Sequence, residues 1–164
     1  MLDSDRTHNA NRSFEPVRSL ADFFSPPPDP LEQTALVELV NPTPAQVRAA
    51  VRQLSAGLLR VDQGQDLVVA ASEAVTNALI HGVAPVRIRI WIGEDRVVVA
   101  IHDEGEGPDD PLVGLLPRIG EGTSLGRGLW MAHQMDIDVA LFAVDTGFTV
   151  RLRAGRAETV TAMP

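Results

Sequence analysis

The sequence predicts an α+β domain in which a mostly antiparallel sheet is covered on one face by about three helices. Residues 86–92 alternate apolar and polar side chains, and the turn Gly93-Glu94-Asp95 joins them to a second alternating run, Arg96 to Asp103. Helical spacing precedes this hairpin, and a second strand pair follows it at Val139 to Val144 and Phe148 to Arg153. An order of strand, helix, helix, hairpin, loop, helix and hairpin is typical of an α+β fold with one helical layer.

The first elements are predicted by local signals. A strand should run from Ala35 to Val40, and Thr43, Pro44 and Gln46 then provide an N-cap, a first-turn proline and a capping-box partner. The helix that they start should run to about Leu59. Its apolar residues at helical spacing are expected to be buried: Val47, Val51, Leu54 and Leu58.

The second helix carries the residue pattern on which a functional prediction depends. It should begin near Gln63 and end at Gly82, because good helix formers fill it and glycine commonly follows a helix. One side forms a predicted core stripe: Val68, Ala71, Val75, Ala78 and Leu79. The opposite side carries carboxylate, amide, imidazole and alanine side chains and no lysine or arginine: Asp66, Ala70, Glu73, Asn77 and His81. A plain polar surface is one interpretation of this side, and a wall that faces a ligand is the other.

The composition excludes several classes of function. The chain has 164 residues, a formal net charge of −8 and no cysteine, and all 14 of its cationic residues are arginine. This length fits one domain with a real core. The negative charge argues against a broad surface for nucleic acid or anionic membrane. The absence of lysine excludes a Walker P-loop, and the absence of cysteine excludes disulfides and cysteine zinc sites. No apolar run approaches the length of a membrane span, so we expect a cytoplasmic protein that binds neither nucleic acid nor membrane.

Three regions are expected along the chain. Residues 1–34 form a Pro-rich N-terminal extension that is predicted to be disordered, because its scattered apolar residues bury too little surface to offset the entropy of ordering. Residues 35–154 form the domain, and residues 155–164 form a C-terminal tail. Within the domain, Glu104 to Ser124 is rich in glycine and proline. This composition predicts a long loop, which is either a functional lid or a disordered insertion.

Two glycine-containing motifs flank that loop. Asp103-x-Gly105-x-Gly107 ends a strand, and Asp103 shares the parity of the buried side chains, so its carboxylate should face the covered side of the sheet and need a partner there. Gly126-Arg127-Gly128 opens a helix that should run to about Met135, where free backbone N–H groups and Arg127 can bind phosphate. A simple turn is the competing interpretation of both motifs. An EF-hand is disfavoured because the series of ligands ending in glutamate is missing.

Taken in this order, the motifs resemble the ATP-binding domain of the GHKL, or Bergerat-fold, superfamily. A more specific resemblance is to the anti-sigma-factor serine kinases of bacteria, and it covers Ala35 to Arg153. The motifs that carry it are Ser72-Glu73-Ala74-Val75-Thr76-Asn77-Ala78, His81-Gly82, Asp103-x-Gly105-x-Gly107-Pro108 and Gly126-Arg127-Gly128-Leu129. The resemblance implies a two-layer sandwich with a long ATP lid.

The resemblance also implies a role for each matching residue. Glu73 would be the general base near the attacking hydroxyl, and Asn77 would give its carbonyl oxygen to Mg²⁺, which bridges the phosphates of ATP. Asp103 would accept a hydrogen bond from the adenine amino group, while Gly105 and Gly107 let the backbone pass close to the base. The phosphates would be held beneath the lid by Gly126, Arg127, Gly128 and Leu129. His81 is expected to be a structural hydrogen-bonding group at the helix end.

The biological role implied by the resemblance is that of a regulator with two protein partners. It would sequester a sigma factor and phosphorylate a serine of a STAS-type anti-sigma factor antagonist, and a homodimer is compatible with this role. The leading alternative is a nucleotide-gated binding module, anti-sigma or another partner switch, without kinase activity. A histidine-kinase catalytic fragment is less favoured because no phosphoacceptor helical hairpin is expected before the domain.

One position departs from the family pattern inside the predicted site. Relatives usually have Gly-Thr at the start of the last strand, where the threonine hydroxyl joins the adenine-binding network. Here the pair is Gly147-Phe148, and strand parity turns Thr149 to the other face of the sheet. The same parity predicts that the Phe148 ring faces inward beside the base, so Asp103 must carry more of the base recognition.

Overall fold

The computed structural model describes residues 34–108 and 135–155. In chain order they form β1 (Val37–Val40), α1 (Pro44–Ser55), α2 (Val61–His81), β2 (Arg87–Ile92), β3 (Arg96–Asp103), β4 (Asp138–Val144) and β5 (Gly147–Gly155). The predicted α+β fold is confirmed. The third predicted helix, from Leu125 to about Met135, lies outside the described residues except for Met135, which belongs to a turn.

The sheet has five strands in the order β1-β2-β3-β5-β4, and every neighbouring pair is antiparallel. Two of the pairs are hairpins, β2–β3 and β4–β5, which agrees with the sequence pattern. The central pair, β3 and β5, joins the two hairpins. Its register sets Asp103, the last residue of β3, opposite Phe148 near the start of β5.

Helix α1 begins at the predicted capping box. The Thr43 hydroxyl accepts from the Gln46 N–H at 3.2 Å, and the Gln46 side-chain oxygen accepts from the Thr43 N–H at 2.8 Å. The predicted end near Leu59 is wrong by one turn. The backbone becomes extended at Ala56, and Gly57 takes a φ of 76°, which ends the helix in a conformation that glycine favours.

The buried face of α2 is wider than the predicted stripe. The predicted residues Val68, Ala71, Val75 and Ala78 are buried, and so is Leu67, which the stripe omitted. Leu79 is 41% exposed, so its assignment to the core is wrong. Ala70 is buried rather than facing a ligand. Both helices pack on the same side of the sheet, so α2 is covered along most of its length.

The hydrophobic core lies between the helices and one face of the sheet. Its strand residues alternate along the chain, as a half-covered sheet requires, and include Ile88, Ile90, Val97, Val99, Ile101 and Leu152. The intervening residues point to the opposite face, which no helix among the described residues covers. Neither of the two described helices is both long and apolar enough to cross a membrane.

Candidate functional site

A cavity of about 420 Å³ opens where the C-terminal end of α2 meets the end of β3 and the start of β5. Its lining includes residues that the sequence analysis singled out, among them Asn77, Asp103, Gly105, Gly107 and Phe148. Residues far apart in the chain therefore meet at one place, as the motif order predicts. The cavity is large enough for a nucleotide-sized ligand.

Asp103 is held in the cavity wall by the backbone. Its side chain is 7% exposed, and its Oδ1 accepts hydrogen bonds from the Val83 N–H at 3.1 Å and the Gly105 N–H at 2.8 Å. Two backbone donors offset much of the cost of burying a carboxylate. Within residues 34–108 and 135–155, nothing donates to the second oxygen, Oδ2. A fixed acceptor is therefore available to a ligand that presents a hydrogen-bond donor.

Two glycines make room for this carboxylate. A Cβ atom at Gly82 would lie 2.6 Å from the Asp103 Cγ, and one at Gly105 would lie 2.7 Å from the Asp103 Oδ1. Real side chains do not tolerate such distances, so neither position accepts even alanine without displacing Asp103. The Glu104 N–H donates to the Val83 carbonyl at 2.8 Å, and this hydrogen bond links the loop after β3 to the loop after α2.

Asn77 presents an unsatisfied amide to the same cavity. Asn77 is 4% exposed, and no group among the described residues forms a hydrogen bond with its Oδ1 or Nδ2. An uncompensated buried amide costs free energy, roughly 1–3 kcal/mol on the scale of protein mutations. A ligand or metal ion in the cavity would satisfy it. No group of three or more His, Cys, Asp or Glu residues among the described residues forms a self-contained metal site.

Phe148 and Gly107 close the opposite side of the cavity. Gly107 has a φ of 83°, and a Cβ atom there would collide with the Phe148 ring. The ring therefore packs directly against the backbone of the loop after β3. The inward orientation predicted for Phe148 is confirmed by its position in the cavity lining beside Val150.

Thr149 and His81 were not expected to contact the ligand, and the structure agrees with the expectation for Thr149 but not with that for His81. Thr149 does face the other side of the sheet, where its Oγ1 lies 2.9 Å from the His102 Nδ1. His81 is exposed and lines the cavity. Its ring makes no hydrogen bond to any described residue, contrary to the expectation of a helix-end hydrogen bond.

The remaining predicted site residues are not brought into the cavity by the described structure. Glu73 is half-buried on α2, one turn before Asn77, and is not part of the cavity lining. Gly126, Arg127, Gly128 and Leu129 lie outside the described residues, as does most of the predicted lid. Their roles stay predictions.

No sequence motif predicts a role for Val83, whose N–H helps to fix Asp103. A side-chain motif cannot reveal a backbone donor. The adjacent glycine was the available signal, because His81-Gly82 appears in the family pattern and Gly82 is where the carboxylate needs space.

Comparison with known proteins identifies the domain. Residues 40–154 match the family described as histidine kinase-like ATPase domain. The chain is 28% identical over 133 residues to the serine-protein kinase RsbW of Bacillus licheniformis, covering 71% of this chain and 82% of that protein. It is 46% identical over 55 residues to the anti-sigma F factor of Clostridium beijerinckii (strain ATCC 51743 / NCIMB 8052), covering 30% of this chain and only 38% of that protein.

Among solved structures, the histidine kinase domain of the Erythrobacter litoralis EL346 blue-light activated histidine kinase aligns at 20% identity. The alignment covers 70% of this chain and 61% of that chain, and its TM-score is 0.47. The family match spans more than half of the chain and contains every described part of the cavity. An ATPase domain implies ATP binding. The chain therefore belongs to the histidine kinase-like ATPase domain family.

Proposed function

We propose that this protein is an anti-sigma-type regulator that binds ATP·Mg²⁺, sequesters a sigma factor and phosphorylates a serine of a STAS-type antagonist protein. Two similar proteins, an anti-sigma F factor and a serine-protein kinase, support this choice by their names. In the proposed scheme the unmodified antagonist and the sigma factor compete for the protein. Phosphorylation of the antagonist then restores capture of the sigma factor.

The observation that carries the nucleotide part of the proposal is the buried amide of Asn77 beside the fixed carboxylate of Asp103. Mg²⁺ bound to phosphates needs only one or two protein oxygens, and a neutral amide oxygen supplies one without adding negative charge. The donor set therefore fits the ion, and Asn77 Oδ1 is the atom that would hold it. When bound, Mg²⁺ supplies charge neutralisation for phosphoryl transfer.

Base recognition is assigned to the other end of the cavity. Asp103 Oδ1 is occupied by the Val83 and Gly105 N–H groups, so Oδ2 is the acceptor for an adenine amino group. Gly105 and Gly107 line the cavity and have no side chains, so the base could approach the backbone closely there. The Phe148 ring would lie beside the base and offer apolar contact rather than a hydrogen bond.

Glu73 is the proposed general base. It lies on α2 four residues before Asn77, so the two side chains share one side of the helix. A carboxylate one turn from the metal ligand can orient a serine hydroxyl and accept its proton as the hydroxyl attacks the terminal phosphate. Gly126, Arg127, Gly128 and Leu129 are proposed to hold the phosphates, on the strength of the sequence resemblance alone.

The proposal is tested by isolating the protein with its partners from the native host and adding labelled ATP. We expect label to appear on a small partner protein with wild-type protein and not with Glu73→Ala. Label on the protein itself, or on no protein at all, would contradict the kinase assignment. A sigma factor retained in an ATP-dependent manner without transfer would favour the nucleotide-gated binding module.

A further inference from the structure

A second cavity, of about 430 Å³, lies between the last turn of α1 and the first turns of α2. We call it the interhelix groove, and its apolar lining includes Leu59, Val61, Val68 and Val69. Within the part of the chain that the structure describes, it shares no lining residue with the nucleotide cavity, the one lined by Asn77. The ATP chemistry therefore gives this groove no role.

The interhelix groove is open to solvent through apolar side chains. Val61 and Val69 are 78% and 40% exposed, whereas Val68 is buried. Exposed aliphatic side chains beside a concave surface are typical of a site that binds another molecule. The groove therefore fits an apolar side chain that a binding partner brings to it.

The charged residues of the groove are basic. Arg52 and Arg60 line it, and no aspartate or glutamate among residues 34–108 and 135–155 does so. Arg60 is already paired with Asp62, whose Oδ2 lies 2.7 Å from the Arg60 Nη2. Arg52 is exposed and forms no ion pair with a described residue, so its guanidinium is available. An occupant with a carboxylate close to an apolar side chain matches both features.

Helix α2 places the interhelix groove next to the proposed general base. Val69 precedes Glu73 by four residues, so both lie on one side of the helix, about 6 Å apart along its axis. Asn77, in the wall of the nucleotide cavity, follows one turn later. The groove, the proposed base and the nucleotide cavity therefore follow one another along a single helix.

A protein substrate that brings a serine to Glu73 must lie along this part of α2. The groove residues Val61 and Val69 precede Glu73 by roughly 6 to 18 Å along the helix, a distance that an extended chain covers in roughly two to five residues. In the proposed scheme, neither a sigma factor nor a second copy of the chain brings a hydroxyl to Glu73. The position of the groove therefore favours the phosphorylated partner as its occupant.

We propose that the interhelix groove docks the segment of the protein substrate that contains the phosphoacceptor serine. An apolar side chain roughly two to five residues from the serine enters the groove, and a neighbouring carboxylate pairs with Arg52. Docking there contributes to the affinity for the substrate and keeps its serine near Glu73. This inference rests on the proposed kinase function, but it does not depend on the assignment of the nucleotide contacts.

The first test is the kinetics of transfer from labelled ATP to the host protein that wild type phosphorylates. Val61→Ser/Val69→Ser removes both exposed apolar side chains without adding charge near Glu73. It should raise the KM for that protein by roughly 3- to 10-fold, the scale of losing part of the burial of two valines. The kcat and the ATP·Mg²⁺ affinity should stay at wild-type values, because neither valine lines the nucleotide cavity. Arg52→Gln should also raise KM and should make it less dependent on salt.

The matched control is Leu36→Ser/Val144→Ser. Leu36 and Val144 are 62% and 37% exposed, close to the values for the two groove valines, and neither lines the groove. This variant should have wild-type kinetics, and circular dichroism verifies that each variant is folded. An unchanged KM in Val61→Ser/Val69→Ser, or an equal rise in the control, overturns the inference and leaves the proposed function standing. Failure of wild type to label any partner contradicts the proposed function, and the inference falls with it.

Cross-linking then identifies the occupant of the groove. The chain contains no cysteine, so Val61→Cys provides a unique thiol for attachment of a benzophenone maleimide. We expect irradiation to link this position, but not the matched Leu36→Cys, to the same protein that accepts the label. A cross-link from Val61→Cys to a sigma factor or to a second copy of the chain would overturn the proposal and assign the groove to that partner. No cross-link to the labelled protein would also overturn it.

Discussion

Asp103 and Phe148 lie directly opposite each other on β3 and β5, and both side chains line the same cavity. The charged acceptor is fixed by two backbone N–H groups, while the ring packs against the backbone at Gly107. This pair places a polar and an apolar recognition element side by side at the proposed base-binding end. Phe148 thus places a ring where the sequence resemblance implies a hydroxyl. The following predictions separate the contributions of the carboxylate and the ring.

Phe148→Thr is expected to tighten ATP binding by a few-fold without unfolding the domain. The new hydroxyl restores one neutral hydrogen bond, about 0.5–1.5 kcal/mol, and part of this gain is offset by the lost ring contact. Phe148→Leu is the control because it removes the ring without adding a hydroxyl, and it should not tighten binding. Calorimetric titration checks both variants. A clear loss of affinity in Phe148→Thr would mean that the ring itself is part of the nucleotide pocket.

Asp103→Asn should remove the preference for ATP over GTP. The amide can keep one oxygen on the Val83 and Gly105 N–H groups while it turns a donor, instead of an acceptor, toward the ligand. ATP affinity should fall by roughly 10-fold or more, the scale of losing a hydrogen bond to a charged group. Competition between the two nucleotides measures the preference. An unchanged preference would remove Asp103 from base recognition.

Gly107→Ala should weaken nucleotide binding as well as stability. Its φ of 83° is unfavourable for alanine, and the new methyl group would push on the Phe148 ring. Gly57→Ala is the matched control, because Gly57 has a φ of 76° and nothing lies within 4 Å of its added Cβ. Thermal unfolding should show a loss of about 1 kcal/mol in the control. ATP affinity should be normal in Gly57→Ala and reduced in Gly107→Ala; equal affinities would show that the loop does not shape the site.

Glu73→Ala should separate chemistry from binding. Affinity for ATP·Mg²⁺ should stay within several-fold of wild type, because Glu73 does not line the cavity. Transfer to the antagonist should fall by roughly 10²-fold or more, the usual effect of removing a general base. Single-turnover transfer with labelled ATP measures the rate. Asp66→Ala, on the same helix, is the control and should transfer normally.

The fold could be predicted largely from the sequence because its signals are local. Strand alternation, the Gly93-Glu94-Asp95 turn and the Thr43–Gln46 capping box each depend on neighbouring residues. Element ends were less predictable, because Gly57 ends α1 through its own backbone conformation. The exposure of Leu79 also could not be predicted, since helical spacing alone places it on the same side as Val75 and Ala78.

The candidate site could be predicted in part for a similar reason. Asp103 can be identified from the sequence because strand parity turns its carboxylate toward the covered side of the sheet. Asn77 can be identified because it shares one side of its helix with Glu73 and His81 at four-residue spacing. Their environment was not predictable: Val83 contributes a backbone donor, and Gly82 contributes only space. That Asn77 has no hydrogen-bond partner within residues 34–108 and 135–155 is likewise a property of the packed structure.

The most direct test of the account is calorimetric titration of ATP with and without Mg²⁺ into wild type, Asn77→Ala and the control Gln53→Ala. Gln53 is an exposed amide on α1, so its loss should change nothing. We expect Mg²⁺ to strengthen ATP binding in wild type and in the control. In Asn77→Ala that strengthening should be lost while the helix stays folded. Equal dependence on Mg²⁺ in all three proteins would contradict the assignment of Asn77 as the metal ligand, and no binding of ATP to wild type would contradict the nucleotide site itself.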